Sequence, residues 1–346
     1  MKKINDMLLK PITMKEIAGK LDVSISTVSR ALSDRHNVSQ ATKLKVRRLV
    51  KELNFQPDQR AISFKQQKTL TIGVVLPDLW ESFFSEAISG IEERVNASGY
   101  MVLIGQSHDE EAKERDILTM MRTHRVDGFL ISIARNTANY EHFEALRKRG
   151  IPVVFFDRVP NMSNIHCIAC NMESGTMQAM KFLLKEGHRV IGLINGPDGL
   201  SASQERKQGY IKALLKHRLK FDPSLVMPCD LTKAGTHGVM QQLLSQKRKP
   251  TAILTFNDYV AMDAIQYARS LKLRINRDIT FVSYANSPMN YYMEFPPIAS
   301  VEQYPFRQGQ QAAGVLLELL NRKDQPDSLP FYRIILESQL VIPEAR

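Results

Sequence analysis

Ile12-Thr13-Met14-Lys15-Glu16-Ile17-Ala18-Gly19-Lys20-Leu21-Asp22-Val23-Ser24-Ile25-Ser26-Thr27-Val28-Ser29-Arg30 reads as two short helices joined by a tight turn. Thr13 followed three residues later by Glu16 forms a capping box, and Ile17, Ala18 and Leu21 then keep helical spacing. Asp22 stands where the chain must turn and tolerates a left-handed backbone, and Ser24 is placed to cap a second helix running to about Leu32. A third helix is expected from near Ser39 to Asn54. Leu44, Leu49, Val50 and Leu53 would lie on one face, with Lys43, Lys45, Arg47, Arg48 and Lys51 elsewhere. Three short helices of this kind make a helix-turn-helix bundle. A second helix that begins with small polar groups and ends in Arg30 suits a major groove, where Arg reads guanine edges.

The charge distribution points the same way. The chain of 346 residues carries 47 Lys plus Arg and 36 Asp plus Glu, a net charge of +11. Residues 1–70 hold 15 basic and 6 acidic side chains, leaving 32 and 30 for the rest. Lys and Arg gathered on one small module gain affinity for phosphates by displacing counterions, so a polyanion-binding head on a nearly neutral body is expected. Apolar content of 43% and charged content of 24% exclude wholesale disorder. Three cysteines do not make a disulfide framework, and Met1 to Asp6 lacks the apolar run of a signal peptide, which makes the cytoplasm the expected compartment. No apolar run approaches the roughly 20 residues of a membrane span.

Pro57 breaks the third helix, and residues 58–65 are expected to add one or two helical turns before Gln66-Gln67-Lys68, which serves as a linker. From Leu70 the pattern becomes strand, helix, strand. Strands are expected at Leu70 to Leu76, Tyr100 to Gly105, Val126 to Ser132, Ile151 to Phe156, Val190 to Ile194, Ala252 to Thr255 and Thr280 to Tyr284, with helical segments between them. This predicts an α/β body of parallel sheets, split into two doubly wound lobes with the ligand pocket in the cleft beyond the carboxyl ends of the strands.

The segment Ile12 to Arg30, above all Val23-Ser24 and Ser26-Thr27-Val28-Ser29-Arg30-Ala31-Leu32, strongly resembles the DNA-binding head of the lactose repressor (LacI/GalR) family. The resemblance continues through Val38-Ser39, Thr42, Val46, Glu52-Leu53-Asn54-Phe55, Pro57 and Ala61, then along the whole body. It implies an N-terminal all-α head, 1–56, a hinge-helix linker, 57–69, and a two-lobed effector-binding and dimerisation body, 70–346, like the periplasmic binding proteins. The lobes would comprise about 70–167 with 299–329, and about 168–298 with 330–346. For DNA it implies base reading by Ile25, Ser26 and Arg30, phosphate contacts by Thr13, Thr27, Asn37, Ser39 and Thr42, and linker contacts by Ala61 and Phe64. Phe64 stands where the family wedges a leucine into the minor groove; packing between linker helices is the competing reading. Ile25-Ser26 is not the Tyr-Gln pair of the lactose repressor, and an aliphatic Ile25 contacts a thymine methyl but donates no hydrogen bond.

For the effector, the resemblance implies Phe83 and Phe84 at the mouth, where core packing is the equal alternative, and Asp157-Arg158 just past a buried strand. Arg206 matches the Arg that the family turns into the cleft, with surface ion pairing as its alternative, and Asn257-Asp258 matches the family's Asn-Asp pair. Ser283-Tyr284-Ala285-Asn286 lacks the Asp that commonly follows the aromatic there, so Asn286 or Tyr284 would have to replace it; Leu231 likewise replaces an aromatic. Cys167 and Cys170 with His166 lack a second ligand pair at zinc spacing and read as buried thiols. No phosphate loop, nucleophile elbow or paired acid and base is present, so neither an enzyme nor a metal or other cofactor is expected. The expectation is a cytoplasmic transcription regulator, a repressor in the first instance. It would bind a palindromic operator in double-stranded DNA as a homodimer, with no membrane partner, under a carbohydrate-like effector. The chain end from Val341 to Arg346 has no heptad tail for tetramers. The alternative is a small-molecule sensor with no DNA role.

Overall fold

The computed structural model describes residues 12–32, 37–55, 68–322 and 330–343. They divide between Thr69 and Leu70 into two compact units.

The first unit holds three helices, α1 (Met14–Lys20), α2 (Ile25–Leu32) and α3 (Gln40–Glu52). Thr13 caps α1 reciprocally: its hydroxyl accepts from the Glu16 amide at 3.3 Å while its own amide donates to Glu16 Oε2 at 2.7 Å. Asp22, with φ of 50°, makes the turn, and Ser24 Oγ accepts from the Thr27 amide at 3.1 Å to start α2. Ile17, Ala18, Val28, Ala31, Val46 and Phe55 form the core. On α3 the buried face is shifted from the expected one. Leu44 is exposed and Lys43 is buried, because the stripe that meets the core runs through Lys43, Val46 and Val50, at helical spacings of three and four. Leu49 and Leu53 border this stripe and pack against the core as expected; Leu44 falls outside it.

The second unit is built on two six-stranded sheets. The first runs β11 (Arg333–Glu337), β5 (His166–Asn171), β4 (Val153–Phe156), β3 (Gly128–Ile131), β1 (Thr71–Leu76) and β2 (Met101–Gln106), all parallel. The second runs β12 (Gln339–Val341), β10 (Ala299–Glu302), β9 (Thr280–Tyr284), β8 (Ala252–Thr255), β6 (Ile191–Asn195) and β7 (Val226–Pro228), parallel except for β12 against β10. Central strands such as β1 are buried along nearly their whole length, which is why they appear in the sequence as unbroken apolar runs. Helices α4 (Ser82–Asn96), α5 (Glu111–Thr123), α6 (Glu141–Arg147) and α11 (Pro305–Asn321) serve the first lobe. Helices α7 (Met172–Lys185), α8 (Ser201–Lys216), α9 (Lys233–Ser245) and α10 (Asp258–Ser270) serve the second.

The lobe limits differ from those expected. Residues through Asn171 and the strand Arg333–Glu337 belong to the first sheet, whereas Ala299–Glu302 belongs to the second. Pairing between distant segments causes the discrepancy: β11 pairs with β5 from 166 residues away, a choice set by register and packing rather than by local pattern. The chain changes lobe after Asn171, after Glu302 and between Glu337 and Gln339. The first and third crossings are tied together by Ser338 Oγ, which donates to the Asn171 carbonyl at 2.6 Å.

Candidate DNA-binding head and effector cleft

In the head, Ile25, Ser26 and Arg30 are exposed on α2, whereas Val28 and Ala31 enter the core. Ile25 keeps 49% of its surface in solvent, a position for an aliphatic side chain that packing inside the head does not explain. The hydroxyls expected to meet phosphates sit at helix starts. Thr13 belongs to the cap of α1, Thr27 Oγ1 lies 2.8 Å from Ser24 Oγ, and Thr42 Oγ1 lies 2.8 Å from Ser39 Oγ. Asn37 is exposed in the turn before α3. Ala61 and Phe64 lie outside the described residues.

In the body, the two lobes enclose a cavity of about 470 Å³ lined by Phe83, Phe84, Asp157, Arg158, Arg206 and Asn257. The elements explain the convergence: Phe83 and Phe84 open α4 after β1, Asp157-Arg158 follows β4, Arg206 lies on α8 after β6, and Asn257 caps α10 after β8. The Phe83 and Phe84 rings meet edge to face, 5.3 Å between centroids, so each is a core residue and a wall of the cavity.

Arg158 donates to Asp109 Oδ1 at 2.5 Å. Burial opposes its charge, yet Asp109, Asp157 and Glu81 hold its pKa above the ordinary value. Arg206 is 2% exposed, with its guanidinium carbon 4.2 Å from the Phe256 ring centre and 4.4 Å from that of Tyr284. Burial lowers its pKa in spite of Tyr284, Asp157 and Glu205 nearby. Asp157 has a left-handed backbone, φ of 58°, and accepts from Ser132 Oγ at 3.4 Å; burial raises its carboxyl above the ordinary value. Burial raises Glu81 as well, against the pull of Arg158.

Asp258 and Asn286 do not line the cavity. Asp258 is consumed by the fold: its carboxylate accepts from Ser283 Oγ, from Ser300 Oγ at 3.2 Å and from the Ser287 amide at 2.6 Å. Asn286 donates to Glu302 Oε2 at 2.9 Å. Ala285, between Tyr284 and Asn286, lines the cavity instead. The sequence reading missed Asp109, Glu81, Phe256 and Gln303. Asp109 was within reach of it, being a charged residue just beyond β2 as Asp157 is beyond β4. Gln303 gave no local signal.

The lobes also touch outside the cavity. Arg135 Nη1 donates to the Asp230 carbonyl at 2.5 Å, and the Trp80 and Tyr259 rings lie 4.5 Å apart. Tyr259 Oη donates to the Trp80 carbonyl at 3.2 Å.

A family model of bacterial regulatory proteins of the lacI family matches residues 13–58, and one of periplasmic binding proteins and sugar binding domain of LacI family matches residues 69–331. The chain belongs to the LacI family. It is accordingly a DNA-binding transcriptional regulator with an effector-binding body. This LacI-family chain is 30% identical over 306 residues to the HTH-type transcriptional repressor CytR of Escherichia coli (strain K12), covering 88% of this chain and 89% of CytR. It is 31% identical over 312 residues to the repressor PurR of Vibrio atlanticus (strain LGP32), covering 90% and 93%. Among solved structures it resembles a lac repressor dimer bound to operator and the anti-inducer ONPF, with a TM-score of 0.82 at 25% identity over 96% of this chain and 98% of that one. No helix among the described residues is long and apolar enough to cross a membrane.

Proposed function

We propose that this chain is a cytoplasmic repressor that binds a palindromic operator as a homodimer, and that a small polyol of the sugar class, held in the cleft, changes its hold on DNA. The reading rests on one observation above all: side chains from both lobes converge on one cavity that contains the buried guanidinium of Arg206, whose Nε and Nη1 have no hydrogen-bond acceptor among the described residues. A separate capped three-helix unit leaves Ile25, Ser26 and Arg30 facing solvent. The relatives support it, one solved relative being a complex with cellobiose and another having bound ribose. Catalysis is not part of the reading: Arg158 is taken up by Asp109, and Asp258 is held by the fold. Asp157, Arg158, Arg206, Phe83, Phe84 and Asn257 are proposed as effector contacts; Ile25, Ser26 and Arg30 as base contacts; and Thr13, Thr27, Asn37, Ser39 and Thr42 as phosphate contacts. Ala61 and Phe64 are proposed as linker contacts.

Dimerisation is supported by an exposed apolar edge on the body. Met101, Leu103 and Ile104 are exposed on the edge strand β2, whose unpaired side is open to a second chain. A sedimentation experiment should give the mass of two chains. The function itself is tested by comparing the full chain with one lacking residues 1–69, on DNA fragments selected by the full chain. Deletion should abolish DNA binding while the body still gains thermal stability from its ligand. DNA binding that survives the deletion would falsify the assignment of the head.

A further inference from the structure

Arg206 is the most unusual charged group in the body. Although it is buried and fixed between the Phe256 and Tyr284 rings, its Nε and Nη1 have no hydrogen-bond acceptor among the described residues. No carboxylate among them forms an ion pair with it, in contrast to Arg158, whose charge is met by Asp109. Its neighbour Glu205 is turned elsewhere, accepting from the Met172 amide at the start of α7 at 3.1 Å. Ala285, which follows Tyr284 and lines the cavity, supplies no charge to this wall. This wall therefore presents a desolvated cation that no carboxylate contacts directly, although Asp157 and Glu205 lie near enough to act on its charge. Such a group is strongly unfavourable unless an anion meets it, and a guanidinium binds carboxylate or phosphate better than it binds neutral oxygen.

The N-lobe wall is the opposite. The half-buried Asp157 carboxylate accepts from Ser132 Oγ at 3.4 Å and has capacity for further donors, and Glu81 lies beside it on the cavity wall. Hydroxyl groups suit these carboxylates, and the one guanidinium beside them, that of Arg158, is already met by Asp109. The cavity of about 470 Å³ has room for one monosaccharide-sized molecule.

We propose that the effector is an acidic polyol, a small molecule with one carboxylate or phosphate directed at Arg206 and hydroxyl groups directed at Asp157. The proposal deepens, and rests on, the assignment of the cleft as the effector site. Arg206 and Ala285 are then the residues that set specificity: Arg206 holds the anion, and Ala285 leaves room for it and supplies no competing charge.

The test uses the full-length protein and matched pairs of probes, D-glucuronate with D-glucose, D-gluconate with D-glucitol, and D-ribose 5-phosphate with D-ribose, followed by thermal shift and calorimetry. Inorganic phosphate alone serves as a control. At least one acid should bind about tenfold or more tightly than its neutral parent, and the pair that does so separates a carboxylate from a phosphate. Arg206→Gln should erase that advantage. Ala285→Asp should reverse it in favour of the neutral parent, and this variant should fold, because Asp tolerates the positive φ of 91° at this position better than most residues. The proposal is overturned if neutral parents bind as well as their acids, if no acid binds at millimolar concentration, or if Arg206→Gln leaves the preference intact. Tight binding of neutral sugars alone would sink the charge class and leave the cleft assignment standing. Binding of any probe that is insensitive to both Arg206→Gln and Phe84→Ala would sink the cleft assignment itself.

Discussion

Two adjacent polar positions in one lobe, Asp258 at the start of α10 and Asn257 before it, show how differently neighbouring residues are used. Asn257 caps the helix and borders the cavity, whereas Asp258 is enclosed by three donors and serves the fold. Asp157 takes the other course, half-buried with little to accept from, which leaves it available to a ligand at a cost to stability. Because its folded pKa lies above the ordinary value, the folded protein holds this proton more tightly than the unfolded chain does. Stability contributed by the group is therefore lost as pH rises from the ordinary Asp value of about 3.9 through the raised one. Asp157→Asn should raise the melting temperature of the ligand-free protein at pH 7, with the gap from wild type closing as pH falls toward 4, and should weaken effector binding. A variant no more stable than wild type at pH 7 would show that Asp157 is already paired. In the head, Arg30→Ala should lower affinity for the operator by about 1–3 kcal/mol and affinity for random DNA far less, because a base contact carries sequence information. Equal losses on both DNAs would assign Arg30 to the backbone.

At the scale of elements, α4 and α11 cross where two glycines face backbone. A Cβ on Gly90 would sit 2.1 Å from the Phe306 carbonyl oxygen, and one on Gly309 would sit 2.0 Å from that of Ala87. Backbone cannot swing aside as a side chain does, so Gly309→Ala should destabilise the body by about 1–3 kcal/mol or more, read by chemical denaturation. A neutral result would mean that the helices separate freely. Of these helices α4 was expected from the sequence and α11, beyond the last expected strand, was not; β1, β2, β3, β4, β6, β8 and β9 were expected. The edge strands β7, β11 and β12 and the interior strands β5 and β10 were not. A strand such as Arg333-Ile334-Ile335-Leu336-Glu337, partly exposed along its length, has no strong burial pattern of its own and becomes a strand only because β5 offers it a ladder. The same limit explains α3, where Leu44 and Lys43 are one residue apart and composition cannot say which of the two meets α1 and α2.

For the whole molecule, Asp109 connects the ligand cavity to the meeting of the lobes. Its carboxylate takes Arg158 from the cavity and, at 3.2 Å, Arg135, which in turn reaches the Asp230 carbonyl of the other lobe. Arg135→Ala should widen the separation of the lobes in solution scattering and weaken effector binding, while leaving the melting of the head unchanged; an unchanged scattering profile would exclude Arg135 as a contact that holds the lobes closed. The helix caps, the concentrated positive charge of the head, the buried parallel strands and the family membership were all legible in the order of residues, because caps and periodicities act within a few positions of the chain. The contents of the cleft were not. Asp109 and Arg158 are 49 residues apart, and Thr176 and Tyr284, whose hydroxyls meet at 2.6 Å beside Arg206, are 108 apart. Which of Asn257 and Asp258 faces the ligand, and whether Arg206 finds a partner, depends on how two sheets built from distant segments close on each other, and only the tertiary structure fixes those distances.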